Sequence, residues 1–246
     1  MHDIALTGIY FFVIALLYST VGHAGASGYL AAMAMLSFTP AVMKPTALAL
    51  NIIVAFVTTI RFAMAGYFSW RLFWPFALAS VPMAYIGGGM QVDTTIYKIL
   101  VGIALVFAAI HLILRSGIAF DDAENAKYPS FGASITVGGG IGLLSGLTGV
   151  GGGIFISPVL IILHWAGLRR TAAVSAAFIL LNSMSGLAGY LQKGGAFPDH
   201  LAFWSVAVVS GGYIGSTLGA TRFNSPVLRI LLGVMLVMAG VKLAVI

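Results

Sequence analysis

The side chains and backbone positions that could do chemistry in this sequence lie in two glycine clusters, Gly22–Gly28 and Gly149–Gly153. A helix that begins just after each cluster, at about Gly28 and Ile154, would point unpaired N–H groups and a positive dipole end at the bend. Glycine also lets a backbone approach a bound group closely. Such a place suits an anion, although glycines also serve simply to pack helices closely.

Polar residues near these clusters extend the prediction. Asn51 and Asn182 would be buried and need partners, which could be substrate or a neighbouring helix. A polar ring at His23 is costly in a bilayer unless it is used, as a donor to substrate or as a proton-sensitive gate. The candidate substrate-binding residues are Gly22, His23, Gly25, Ser27, Asn51, Gly149, Gly151, Gly152, Gly153 and Asn182.

Arg61 is the cation that lies furthest inside an apolar segment. Its side chain could extend to the cytoplasmic surface, which is the commoner case. It could also bind an anion in a bidentate manner at an inner gate. Both interpretations stay open from the sequence.

Acidic residues are placed only at termini, loops or segment ends: Asp3, Asp93, Asp121, Asp122, Glu124 and Asp199. Carboxylates within the membrane are the usual cation ligands and proton relays, so their positions argue against a cation transporter. No carboxylate pair, Ser/His/Asp set or HExxH motif can be assembled, and cysteine is absent. We therefore expect no enzyme, no cofactor and no metal site.

The composition places the chain in a lipid bilayer. Hydrophobic residues make up 60% of it and charged residues 7%, with a mean hydropathy of +1.06. The apolar runs are long and do not alternate, which predicts an all-α integral membrane protein and not a β-barrel. Basic residues do not cluster with aromatic ones, so nucleic acid is not expected as a partner.

The halves of the chain resemble each other. Tyr85-Ile86-Gly87 recurs about 128 residues later as Tyr213-Ile214-Gly215, and the two glycine clusters fall at the same offset. We predict a first transmembrane repeat over 1–115, a polar linker over 116–130 and a second repeat over 131–246. Each repeat would be a glycine-broken helical hairpin followed by three transmembrane helices. Because a hairpin returns the chain to the side it came from, each repeat makes an odd number of net crossings. The second repeat is then inverted relative to the first.

Basic residues indicate the orientation in the membrane. With hairpins at both clusters, one face collects eight of the twelve basic residues, including Arg61, Arg71, Arg169 and Arg170, and the other collects four lysines. The positive-inside rule then puts the arginine-rich face in the cytoplasm and both termini outside. The sequence leaves open whether the hairpins cross the membrane fully, and whether the chain works alone or as a homodimer.

The second cluster resembles a known family. Thr148-Gly149-Val150-Gly151-Gly152-Gly153-Ile154-Phe155-Ile156-Ser157-Pro158, followed by a small-residue helix ending in Asn182, is similar to the second-repeat signature of the TauE/SafE sulfite exporter family. The first cluster departs from it, since His23 and Ser27 stand where the family usually has bare backbone. The resemblance implies an inner-membrane permease that moves small sulfur oxyanions or organosulfonates, such as sulfite or sulfoacetate, usually outward. The alternatives are a permease for an amino acid, carboxylate or metal oxyanion, and a non-transporting scaffold subunit.

Overall fold

The computed structural model describes residues 4–20, 22–114, 128–197 and 200–221, together with 237 and 241. Nine α-helices and no strands are found in these ranges. The helices are α1 Ile4–Ser19, α2 Ala26–Met35, α3 Pro40–Met64, α4 Trp70–Gly89, α5 Thr94–Leu114, α6 Phe131–Thr148, α7 Gly153–Ile162, α8 Leu168–Gln192 and α9 Leu201–Thr221.

Five helices are long and apolar enough to cross a membrane: Pro40–Met64, Trp70–Gly89, Phe131–Thr148, Arg169–Gln192 and Leu201–Gly219. The prediction of an all-α membrane protein is thereby confirmed. Most of the predicted linker 116–130 and of the last apolar segment 226–246 falls outside the described residues. The predicted bounds of the two repeats therefore stay predictions.

The chain turns back at both glycine clusters. α1 ends at Ser19 and α2 begins at Ala26, while α6 ends at Thr148 and α7 begins at Gly153. The second arms, α2 and α7, have ten residues each. At 1.5 Å per residue each is about 15 Å long, half of the ~30 Å hydrocarbon core. Each of these second arms is therefore too short to cross a membrane by itself, which favours the re-entrant form of the hairpins.

The bends depend on glycine because the backbone is left-handed there. Five glycines of the two bends have φ between +79° and +102°, a region that side chains with a Cβ rarely adopt: Gly22, Gly25, Gly149, Gly151 and Gly152. We call residues 22–25 the first tip and residues 149–152 the second tip.

The first helix of each half packs on the fourth helix of the other half, so that α1 lies against α9 and α6 against α4. Both contacts use glycines spaced four residues apart. A Cβ at any of Gly138, Gly142 or Gly146 of α6 would lie within 2.5 Å of a carbonyl oxygen of α4. A Cβ at Gly211 or Gly215 of α9 would lie within 2.4 Å of a carbonyl oxygen of α1, and a Cβ at Gly219 would lie 2.2 Å from that of Thr20, the residue after α1. These glycines thus serve helix packing, which the sequence also favours for Gly87–Gly89 and Gly138–Gly140.

The third helices of the two halves, α3 and α8, cross in an antiparallel manner at the centre of the molecule. Near the start of α3, Leu48 lies beside Gly186 of α8, and near its end Phe62 packs with Ala172. Between these two contacts, one turn from Leu48, Asn51 meets Ser183. The second tip rests on this crossing.

Candidate functional site

The second tip lies against the middle of α3 and α8. A Cβ at Gly151 would be 2.5 Å from Asn51 Nδ2 and 3.0 Å from Ser183 Oγ, so only glycine fits. Asn51 Nδ2 donates to the carbonyl oxygen of Val150 at 3.3 Å and to Ser183 Oγ at 3.4 Å. The amide of Asn51 therefore holds the tip on the helix crossing.

Several backbone N–H groups at both tips have no acceptor in the described part of the chain. Within the described residues, the amides of Gly151 and Gly152 donate to no protein acceptor, and the same holds for Ala24 and Gly25. All four residues are buried. The carbonyl oxygen of Gly152, in contrast, accepts from the first turn of α7. Buried backbone donors are nearly always paired, so these amides indicate a site for an acceptor-rich group.

The first tip reaches α7 through His23. Its Nε2 lies 3.2 Å from Ser157 Oγ, which in turn lies 2.8 Å from Ser175 Oγ on α8. A Cβ at Gly153, the first residue of α7, would be 3.5 Å from His23 Cδ2. The structure therefore brings His23 and Gly153, predicted from separate clusters, into one place.

The other residues predicted at the first tip face different neighbours. Gly22 packs on α8, where its Cβ would be 2.5 Å from the Cα of Ala172. Ser27 donates to the hydroxyl of Tyr18 at 3.1 Å, and Gly25 packs against Tyr29 and Ile14. Ser27 and Gly25 thus contact the interior of their own hairpin and not the α3–α8 crossing.

Two buried tyrosines hold the tips from behind. Tyr29 of α2 donates to the carbonyl oxygen of Ala24 at 2.9 Å, and Tyr97 of α5 donates to that of Thr148 at 3.2 Å. Each bond holds a carbonyl at or next to a tip. Sequence analysis missed both residues, because a tyrosine in an apolar segment also fits the membrane interface.

Asn182 is buried, with an exposure of 0%. Among the described residues, its Oδ1 has no donor and its Nδ2 has no acceptor within hydrogen-bond distance. In the same part of the chain, the hydroxyl of Ser145 and the Oδ1 of Asn51 are also buried and have no partner. An unmet polar group of this kind costs about 1–3 kcal/mol, which is a reason to expect that a ligand pairs with it.

Asn182 and Ser145 are placed beside the second tip. One helical turn before them, Phe178 of α8 and Ile141 of α6 flank Gly152, with 2.9 Å and 3.1 Å to the position of its Cβ. Residues one turn apart share a helix face. The two unpaired side chains therefore continue the wall that surrounds the second tip.

Arg61 lies in the last turn of α3 and joins that helix to α9. Its Nη2 donates to Thr217 Oγ1 at 3.0 Å, and its guanidinium lies 5.4 Å from the centre of the Tyr213 ring. The side chain is half-buried. A role at an inner gate stays a prediction.

Lys44, one of the four lysines that the sequence analysis assigns to the outer face, is a buried charge. The helix that carries it, α3, begins at Pro40 and continues through Pro45. Proline has no N–H to offer the carbonyl four residues before it, and Tyr190 donates to that carbonyl, Ala41 O, at 3.3 Å. Lys44 therefore lies within a helix and is 6% exposed.

The described residues contain no group of three or more His, Asp and Glu side chains that could hold a metal ion. Asp93 is exposed at the start of α5, where the N–H of Thr95 donates to it at 2.7 Å. That hydrogen bond lowers the pKa of the Asp93 carboxyl. The other five acids lie outside the described residues.

Known proteins similar to this chain are membrane transporters by name. The family model described as Sulfite exporter TauE/SafE matches residues 7–243. The chain is 40% identical over 239 residues to "Probable membrane transporter protein y4hK" of Sinorhizobium fredii, covering 96% of each. It is 24% identical over 226 residues to "Probable membrane transporter protein YunE" of Bacillus subtilis, covering 83% of this chain and 81% of that one. No solved structure matches.

The family match spans almost the whole chain and includes both tips, the α3–α8 crossing and the glycine contacts between the halves. The chain belongs to the TauE/SafE sulfite exporter family of membrane transporters.

Proposed function

We propose that this protein is a secondary transporter of a small anion, which it binds between the two tips and the Asn-bearing helices α3 and α8. The observation that carries the proposal is the second tip itself. It presents two buried amides without acceptors beside Asn182, whose side chain has no partner among the described residues. N–H donors and a helix N-terminus, with no carboxylate at this tip in the described part of the chain, favour an anion over a cation or a neutral solute.

The substrate that we propose is a sulfur oxyanion or organosulfonate, such as sulfite or sulfoacetate. The family name supports this class, while the names of the relatives specify no substrate. Oxyanions offer several acceptor oxygens on one small centre, which matches donors that converge from a tip and two helices.

Transport would occur by alternating access between two inverted repeats. The antiparallel crossing of α3 and α8 supports the inversion, as does the reciprocal packing of α1 on α9 and α6 on α4. Short re-entrant arms that meet at mid-membrane are the usual way in which such folds form a substrate site.

We place the protein in the inner membrane with both termini outside. The ends of helices that carry Arg61, Arg71 and Arg169 would then face the cytoplasm. An interior-negative potential favours export of an anion by about 2.3 kcal/mol per charge per 100 mV, so export requires no coupling ion.

The experiment is thermal stabilisation of purified protein by a panel of sulfite, sulfoacetate, taurine, sulfate, thiosulfate, acetate and nickel. Selective stabilisation by a sulfur oxyanion or sulfonate, followed by flux of that compound in proteoliposomes, is the expected result. Stabilisation by nickel alone would contradict the argument from N–H donors. Because a ligand stabilises by mass action, the midpoint should rise with anion concentration at constant ionic strength.

A further inference from the structure

We propose that Lys44 is a specificity-determining residue, whose positive charge attracts the anion to the second tip. This inference rests on the proposed anion transport. It concerns a residue that the sequence analysis counts among the lysines of the outer face and that the structure buries beside the candidate site.

Lys44 lies between the second tip and the end of α4. A Cβ at Gly149 would be 3.2 Å from the carbonyl oxygen of Lys44 and 3.4 Å from its Cγ. The ammonium at the far end donates to the carbonyl oxygens of Gly88 at 2.8 Å and Gly87 at 3.3 Å. The backbone and stem of this side chain therefore contact the tip, while its charge is held one side chain's length away.

The charge of Lys44 has no ionic partner in the described part of the chain. It is the one charged side chain classed as buried there. Its neighbours are the carbonyl groups that end α4 and, at 5.9 Å, the ring of Tyr190. Carbonyl dipoles at a helix end amount to about half a negative charge, so part of the lysine charge is left uncompensated. An anion at the second tip would supply the missing counter-charge.

The alternative is that Lys44 only caps the end of α4. The two roles require different properties of the side chain. A cap needs hydrogen-bond donors, which the neutral amide of glutamine also offers. Attraction of an anion needs the charge. Lys44→Gln therefore separates the two roles, and Lys44→Arg keeps the charge. Lys193 is the matched control, because it also packs beside the end of α4, 3.4 Å from the position of a Cβ at Gly89, but is exposed.

The test is the Kd of purified wild type, K44Q, K44R and K193Q for sodium sulfite and sodium sulfate at constant ionic strength, with the melting temperature recorded for each. We expect K44Q to weaken the binding of the transported anion by at least about tenfold, with K44R within about threefold of wild type and K193Q unchanged.

Two results would overturn this inference and leave the proposed function intact. The first is that K44Q binds the anion as tightly as wild type does, whatever its melting temperature. The second is that folded K44R loses as much affinity for the anion as K44Q does. If K44Q fails to fold, the affinity of K44R for the anion tests the inference, because a variant that keeps the positive charge must also keep the affinity. A wild-type protein that binds neither anion and none of the wider panel would overturn the proposed function, and this inference with it.

Discussion

The two tips start from similar glycine clusters and are closed by different means. At the first tip, side chains of the same hairpin fill the bend, with Tyr18 bonded to Ser27 and Tyr29 bonded to the chain at Ala24. At the second tip the bend is bare backbone, and its contacts come from both halves of the molecule, from Asn51 of the first half and from Phe178 and Ile141 of the second. The first tip is thus largely a self-contained structure, and the second tip is assembled by both halves.

This difference assigns different tasks to the tips. A tip that rests on α3 and α8 changes its surroundings whenever the halves move relative to each other, as alternating access requires. The first tip contributes one side chain, His23, which reaches Ser157 across the boundary between the halves. We therefore expect changes at the second tip to affect substrate binding most, and changes at the first tip to affect stability most.

The largest effect is expected from a bulky residue at Gly152. Its φ is +82°, and a Cβ would lie 2.9 Å from the Phe178 ring, so Gly152→Val distorts the tip and blocks its amides. Transport in proteoliposomes should fall to background while the protein still inserts in the membrane. Gly140→Ala is the control, because its Cβ meets nothing within 4 Å. Wild-type flux in Gly152→Val would contradict the assignment of the site.

Asn182→Leu should change thermal stability and anion binding in opposite directions, raising the first and weakening the second. Leucine has a similar size and removes two buried polar atoms that have no partner in the described residues. We expect thermal stability without substrate to rise, by about 1–3 kcal/mol at most, while affinity for the anion falls about tenfold. Parallel melting curves with and without anion measure both. A loss of stability in the variant would indicate that Asn182 serves as a contact between helices.

The tyrosines behind the tips allow a direct comparison of the two tips, because a change to phenylalanine removes only the hydroxyl oxygen from each. Tyr97→Phe and Tyr29→Phe each delete a hydrogen bond worth about 1 kcal/mol. Tyr97→Phe should weaken anion binding severalfold, because it frees the carbonyl of Thr148 next to the second tip. Tyr29→Phe should lower the melting temperature with little effect on affinity. Tyr67→Phe, in a loop, is the control. Equal effects of the first two variants on affinity would remove the distinction between the tips.

The smallest effect is expected at the contact between the halves. Ser157→Ala removes the hydroxyl that joins His23 to Ser175, and transport should slow about two- to fivefold with unchanged expression. Ser210→Ala, on an exposed position of α9, controls for a serine that bonds only its own helix. Unchanged transport in Ser157→Ala would mean that this contact does not couple the halves.

Much of the fold was predictable from glycine, length and hydropathy. A run of 40 apolar residues cannot cross a bilayer once, so the glycine clusters had to be bends. For Asn51 the sequence predicted that the buried side-chain amide needs a partner, but it could not identify the second tip as that partner.

Other features could not be predicted, for physical reasons. The burial of Lys44 was missed because Pro45 suggests a break in the helix. Proline is tolerated near the start of a helix, however, when another donor pairs with the carbonyl that it leaves free. The roles of Tyr29 and Tyr97 depend on contacts with the tips at five and 51 residues' separation, respectively. Only the assembled structure places the hydroxyl of Tyr97 on the second tip.

The most direct test of the central claim is a structure determined with a transported oxyanion bound, using selenite or another heavy-atom analogue to locate it. The account predicts density within hydrogen-bond distance of the amides of Gly151 and Gly152, beside Asn51 and Asn182. Density for the anion away from both tips, in protein that transports it, would contradict the account.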